Sequence, residues 1–328
     1  MLKRKVLITD YQFKSIEYEK KILSDIDVEV IEAQCKTEDE VIKKAKGVHG
    51  LIVECAPITR KVIESLPQLK VIARYGIGID VIDLKAASEH KVFVLNVPDY
   101  CIDEVSDHTL ALLLGSARKI IPLNNHIKSG SWGFHFAQPF YRIKGRILGL
   151  IGFGNIARKL AEKAKPLGLS ILTYDPYISN EIMKNYEYVK NVDFLELLKK
   201  SDFISIHVPL TKDTKNMISI KDINLMKKSA TIINTSRGGI INEKDLTEAL
   251  ISKRIAGAAL DVFEEEPLNN NLLLKQDNVI LTPHVSYHSE ESQIELQTKA
   301  AEGVRDVLIG KRPKYLINKE IWNQNIEF

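Results

Sequence analysis

The stretch Gly149-Leu150-Ile151-Gly152-Phe153-Gly154-Asn155-Ile156-Ala157 decides the fold. An apolar run at 147–151 leads into it, and a helical pattern at 156–165 follows it. A dinucleotide site needs that strand–loop–helix context. Gly152 permits the tight turn and Gly154 lets the backbone approach a pyrophosphate. Ala157, where a third glycine is usual, is small enough for close helix–strand packing. The helix start, at Asn155 and Ile156, offers free N–H groups to the phosphates. Asp175 lies 21 residues beyond Gly154, just after a strand at 170–174. Its carboxylate can accept from both adenosine-ribose hydroxyls. A 2′-phosphate would be repelled there, and Pro176 and Tyr177 bring no cation, so NAD is expected rather than NADP.

Working outward, short β-branched runs alternate with amphipathic stretches along the whole chain. Strands are expected at 6–9, 28–31, 50–53, 71–73 and 92–95, with helices near 16–24, 38–45 and 81–90. A second series has strands at 147–151, 170–174, 203–207, 231–234, 256–260 and 279–281. Asp193 with Glu196 reads as a capping box, Asn242 starts a helix running through Ile251, and Ser289 caps one reaching about Leu308. Such alternation implies parallel sheets with helices on both faces. A nucleotide loop usually follows the first strand of its domain, so the cofactor domain starts mid-chain and another α/β domain precedes it. Residues 103–121, apolar around most of a helix, are expected to be buried, with a subunit interface as one way of burying them. Residues 129–138, with Trp132 and Phe136, read as an aromatic-bearing loop.

Composition narrows the function classes. The chain has 328 residues, which favours two domains, and 45% hydrophobic content, enough for packed cores. A net charge of +3 with scattered basic residues argues against a nucleic-acid partner. Cys35, Cys55 and Cys101 are far apart and odd in number, which fits a reducing compartment rather than a disulfide framework. No segment has the roughly 20 apolar residues of a membrane span, and the apolar start is too brief for a signal peptide. A cytoplasmic protein without a membrane partner is expected.

Several residues near the carboxyl edge of the second sheet could carry chemistry. Arg237 follows strand 231–234; its planar guanidinium suits a bidentate carboxylate contact, and Gly238 and Gly239 leave room for close approach. A surface arginine capping a turn is the alternative. Glu266 closes an acidic run, and such runs are commonly solvated. His284 follows Thr282-Pro283 after strand 279–281. It can donate a proton near neutral pH, with a carboxylate behind it raising its pKa, or it is a structural histidine. Asp261 reaches the same edge and could accept from a nicotinamide amide. His207, ending strand 203–207, either lines the adenosine side of the crevice or is structural, the second being favoured. His284 and His288 are four apart, but Pro283 disfavours a helix and no third ligand is near, so no metal is expected.

With these residues assembled, the chain resembles the D-isomer-specific 2-hydroxyacid dehydrogenase family over essentially its whole length. The matching segments are Arg74-Tyr75-Gly76-Ile77-Gly78-Ile79-Asp80, the glycine loop, Asn234-Thr235-Ser236-Arg237-Gly238-Gly239, Ala259-Leu260-Asp261-Val262-Phe263 with Glu266-Pro267, and Thr282-Pro283-His284. The resemblance implies two doubly wound α/β domains, with a Rossmann cofactor domain (101–289) inserted into a flavodoxin-like substrate domain (1–100 plus 290–328). It also implies a homodimer built largely through the cofactor domains. On that likeness Arg237 binds the keto acid and Glu266 orients His284, the acid in reduction and base in oxidation. Val208, Pro209, Thr235 and Asp261 join the cofactor contacts. Backbone amides around Tyr75, Gly76, Ile77 and Gly78 take the substrate carboxylate.

Within the family, the segments 97–101, 103–105 and 107–109 look most like the subgroup related to the C-terminal binding proteins, as does 284–289. Arg74 matches a substrate-contacting arginine of that subgroup. Tyr287 stands where it usually carries tryptophan, and is included among the substrate contacts. Phosphoglycerate dehydrogenases often have arginine where this chain has Glu54, whose charge would repel a phosphorylated substrate. Two readings follow. One is an NADH-linked reductase of small 2-keto acids, interconverting them with D-2-hydroxy acids. The other is an NAD(H)-sensing dimer that recruits peptide partners.

Overall fold

The computed structural model describes residues 3–269 and 272–322, which divide into two compact units, Met1–Cys101 with Ser289–Phe328, and Ile102–His288. Each is built on a wholly parallel sheet, so the expected α/β class holds.

In the first unit the strands are β1 (Arg4–Ile8), β2 (Val28–Glu32), β3 (Gly50–Val53), β4 (Val71–Arg74) and β5 (Phe93–Leu95), in the order β2-β1-β3-β4-β5. Successive side chains point to opposite faces, so a strand buried on both sides reads as continuous apolar sequence. Leu7, Leu51, Ile72 and Val94 pack into one core with the helices at Glu38–Lys44, Arg60–Glu64 and Leu84–Glu89. The other face is covered by helices Glu17–Ser24 and Glu290–Leu308. Contact there is close: a Cβ added at Gly50 would lie 3.2 Å from the Val304 side chain, and one at Gly303 2.8 Å from Leu95. The chain order reverses between β1 and β3, the place where open α/β sheets put ligands.

The second unit carries β6 (Ile147–Ile151), β7 (Ser170–Tyr174), β8 (Val189–Asn191), β9 (Phe203–Ile206), β10 (Thr231–Asn234), β11 (Gly257–Leu260) and β12 (Val279–Leu281). Their order is β12-β11-β10-β9-β6-β7-β8, with the reversal between β6 and β9. Ile151, Ile232 and Ala258 enter one core, whereas Leu150, Ile233 and Ala259 enter the other. Strand β8 is not among the sequence expectations. It has only three residues, and just Val189 is buried, so no pattern marks it.

Two local expectations need correction. Residues 103–121 do not form one buried helix. Lys119 adopts a left-handed backbone (φ +54°), and the chain splits into helices Ile102–Arg118 and Ile120–Lys128. The first buries Val105, Leu112 and Leu113, but the second buries no residue. Asp193 does cap its helix, accepting from the Glu196 amide at 2.8 Å. Glu196 does not reach back to complete the box, however; its carboxylate takes Lys200 at 2.7 Å instead. The caps at Asn242 and Ser289 form, accepting from Asp245 N at 3.0 Å and Ser292 N at 2.8 Å.

Candidate active site

The glycine loop lies at the carboxyl end of β6, against the start of the loop after β9. Gly152 has φ +88°, and a Cβ there would sit 2.8 Å from the His207 carbonyl and 2.9 Å from the Val208 side chain. Only glycine meets both demands without strain. Gly154 differs, since a Cβ on it would meet nothing within 4 Å. That open face, before helix Asn155–Ala164, is where a pyrophosphate can come against the backbone, while Ala157 is fully buried. Asn155 and Ile156 open the helix. Asp175 accepts from the Phe153 amide at 2.8 Å and the Tyr177 amide at 2.9 Å, one on each oxygen. A carboxylate has about four acceptor positions, so room remains for ribose hydroxyls. Val208 and Pro209 follow β9, and Thr235 follows β10 with its hydroxyl 2.9 Å from that of Thr109. These residues fit a dinucleotide.

His207 is structural in this arrangement. Its Nε2 lies 2.8 Å from the Ser205 hydroxyl, and burial pushes its pKa down to about 4.

Arg237 rides on a loop that is tightly tied. Asn234 donates to the Arg237 carbonyl at 2.8 Å and accepts from the Ser236 amide at 3.0 Å, while Ser236 Oγ donates to the Ile206 carbonyl at 2.9 Å. The expectation that Gly238 leaves room for a ligand is corrected: a Cβ there would run into the Phe263 carbonyl and the Glu264 amide. The glycine lets the Arg237 loop press against the loop that carries Glu266.

Glu266 is fixed at both oxygens. Oε1 accepts from the Phe263 amide at 3.0 Å, and Oε2 lies 2.7 Å from His284 Nδ1. Partial burial alone would push its pKa up. His284, the Phe263 amide and the nearby Arg237 charge outweigh it and hold the carboxyl below its ordinary range. An ionised carboxylate only accepts, so Nδ1 carries the hydrogen and Nε2 is left to give or take a proton. Both side chains keep more than a third of their surface open, His284 at 39% and Glu266 at 36%.

His284 has φ +51°, a sparsely populated conformation for a non-glycine residue and one that concentrates at functional sites. Asp261 braces it. The His284 amide donates to the Asp261 carbonyl at 2.8 Å. The fully buried Asp261 carboxylate accepts from Thr282 Oγ1 at 2.6 Å and from the Val285 and Ser286 amides, each at 3.0 Å. His108 reaches the same cluster, with Nε2 3.1 Å from Thr282 Oγ1. Sequence spacing gave Asp261 a nicotinamide contact; the bracing role, with Thr282 and Ser286, needed the turn itself to be seen. Tyr287 stands edge-on to His284, ring centroids 6.2 Å apart. Among the described residues no group of three or more His, Cys, Asp or Glu side chains could hold a metal ion.

Arg74, Tyr75, Gly76, Ile77 and Gly78 belong to the first unit, at the carboxyl end of β4. Every carbonyl from Tyr75 to Ile77 is taken. Tyr75 O accepts from Arg74, Gly76 O from the Val97 amide at 2.9 Å, and Ile77 O from Asn96 Nδ2 at 2.8 Å. No acceptor meets the Ile77 and Gly78 amides among the described residues. Successive unpaired amides of this kind make an anion-binding concavity. Gly76 has φ +139°, a backbone conformation that strains any other residue, and the Arg74 guanidinium lies over the space a Cβ would take.

The sequence family described as "D-isomer specific 2-hydroxyacid dehydrogenase, NAD binding domain" matches residues 110–286. The chain belongs to the D-isomer specific 2-hydroxyacid dehydrogenase family. Its cofactor is accordingly NAD, in agreement with the unencumbered Gly154 and with Asp175. Among relatives, a D-3-phosphoglycerate dehydrogenase of Methanocaldococcus jannaschii is 41% identical over 96% of this chain, which spans only 59% of that protein. A glyoxylate reductase of Thermococcus litoralis is 39% identical over 86% of this family member and 87% of its own length. The crystal structure of a glyoxylate reductase from Paecilomyes thermophila shares the fold with a TM-score of 0.89 at 26% identity, covering 98% of this chain and all of the other.

Proposed function

We propose that this family member is an NAD-linked reductase that interconverts small, unphosphorylated 2-keto acids and the corresponding D-2-hydroxy acids. The observation that carries the reading is the 2.7 Å Glu266–His284 pair, held on a braced left-handed turn with the Arg237 loop packed beside it. When bound, NADH supplies the hydride. Arg237 holds the keto acid by its carboxylate and carbonyl oxygens. His284, kept in one tautomer by Glu266, delivers a proton from Nε2 to the forming alkoxide and takes it back in oxidation. The Ile77 and Gly78 amides, with Arg74, bind the substrate carboxylate.

Glu54 supports the unphosphorylated substrate. It follows β3, next to Arg74 in the register Val53↔Arg74. Burial and the neighbouring Asp10 push its pKa up, and Arg74 opposes them. A carboxylate beside Arg74 disfavours a phosphoryl group there. A homodimer is part of the same proposal. Ile120, Ile127, Trp132 and Phe136 expose 54%, 48%, 92% and 54% of their surface, and the His126 and Phe136 rings are 4.3 Å apart. An apolar patch of that kind on a single chain marks an interaction surface.

The test is NADH oxidation with a panel of 2-keto acids, such as glyoxylate, hydroxypyruvate and branched aliphatic acids. His284→Ala should abolish turnover while NADH binding stays near that of the parent. Protein that binds NADH but reduces none of the panel would sink the reading, and NAD-dependent capture of a protein partner without turnover would replace it by the peptide-recruiting alternative. No helix among the described residues is long and apolar enough to cross a membrane.

A further inference from the structure

The first unit buries a carboxylate that the proposed chemistry does not use. Glu19, on helix Glu17–Ser24, is fully buried and has no ion pair among the described residues. Two side-chain donors meet it. The Tyr75 hydroxyl donates to Oε1 at 2.5 Å, and Gln297 Nε2, on helix Glu290–Leu308, lies 3.1 Å from each oxygen. The same Gln297 nitrogen reaches the Ser15 carbonyl at 2.8 Å. Burying a carboxylate without a cation is costly, and a leucine would fill the space without that cost. Burial pushes the Glu19 pKa up, and the Tyr75 and Gln297 hydrogen bonds oppose it.

What Glu19 grips is the first residue of the anion-binding loop. The Tyr75 ring is enclosed, edge-on to Phe13 with centroids 5.0 Å apart, and its amide donates to the Val53 carbonyl at 2.8 Å. The hydroxyl-to-carboxylate bond ties the far end of that ring to helix Glu17–Ser24. Gly76 and Gly78, the most permissive residues of the chain, follow at once, so the direction of the next amides depends on how firmly Tyr75 is fixed.

We propose that Glu19 is a positioning residue: by anchoring the Tyr75 hydroxyl it aims the Ile77 and Gly78 amides at the carboxylate of the substrate, with Gln297 fixing the anchor. This rests on the keto-acid reading given above. It predicts a defect in substrate capture, with chemistry and cofactor binding spared.

The experiment compares Glu19→Leu, Glu19→Gln and Tyr75→Phe by steady-state kinetics and by amide hydrogen exchange of the cofactor-free protein. Glu19→Leu and Tyr75→Phe should raise KM for the keto acid by about fivefold or more, the scale of one lost hydrogen bond, with kcat and NADH affinity little changed. Glu19→Gln keeps an acceptor for the Tyr75 hydroxyl and should recover most of the loss. Exchange should quicken in peptides spanning 75–79 and not elsewhere. Unchanged KM with unchanged loop exchange, or a fall in stability spread evenly over the protein, would overturn the proposal. If the parent protein reduces no keto acid, the reaction assignment fails, and selective loop exchange alone then decides whether Glu19 positions the amides. Should Glu19→Leu not fold, Tyr75→Phe carries the comparison.

Discussion

At the level of single residues, the two histidines at sheet edges carry opposite meanings. His284 is half open and paired with a carboxylate, whereas His207 is enclosed and pushed down to about 4. A folded pKa below the unfolded value of about 6.5 means that the unfolded chain takes up the proton first as pH falls. The stability supplied by neutral His207 is complete above about pH 6.5 and is lost between there and pH 4, an effect of roughly 3 kcal/mol at most. Urea midpoints measured at about pH 7.5 and pH 5 should therefore differ less in His207→Gln than in the parent. An equal difference in both would show that His207 does not set that dependence. Glu54 offers a second check. Glu54→Arg should raise kcat/KM for a phosphorylated 2-hydroxy acid relative to a small unphosphorylated one, by about tenfold for a charge reversal beside Arg74. Unaltered selectivity would remove Glu54 from the specificity argument.

Among elements, the glycine loop gives the sharpest contrast. Gly152→Ala places a methyl 2.8 Å from the His207 carbonyl in a left-handed backbone, so both melting temperature and NADH affinity should fall. Gly154→Ala meets open space and φ −72°, so stability should hold while NADH binding weakens by about tenfold or more. Calorimetry beside NADH titration separates the two; equal melting losses would show that the loop is misread. This loop was legible because its glycines, strand and helix all serve one turn. Strand β8 was not, since three residues with a single buried side chain leave no period to detect. Nor was the break at Lys119, where the backbone turns left-handed at a residue type that gives no warning. The candidate site was legible only as residue types at one edge: Arg237, Glu266 and His284 each follow a strand of the same parallel sheet. How they are held was hidden. The bracing by Asp261 joins residues 21 to 25 positions apart, and the press of Gly238 on Phe263 joins two separate loops.

For the whole molecule, the first unit is assembled from both ends of the chain. Helix Glu290–Leu308 covers β3 and β4, so that core cannot close until the second unit has been synthesised. Contacts so distant in sequence slow folding. The exposed aromatic segment of the second unit bears on assembly. Trp132→Asp combined with Phe136→Asp should shift the protein from dimer to monomer in analytical ultracentrifugation, with little change in its secondary structure by circular dichroism. A parent that already sediments as a monomer at micromolar concentration would end the dimer proposal.

The candidate site residues lie at or just beyond the carboxyl ends of strands, some of them exposed, as His284 and Glu266 are, and others buried, as Tyr75 and Asp261 are. Exposed positions after β3, β4 and β12 can thus be varied without disturbing the interdigitated layers beneath. On the proposed keto-acid reading, a mutational library restricted to Glu54, Ile77 and Tyr287 is the economical way to alter which acid is taken.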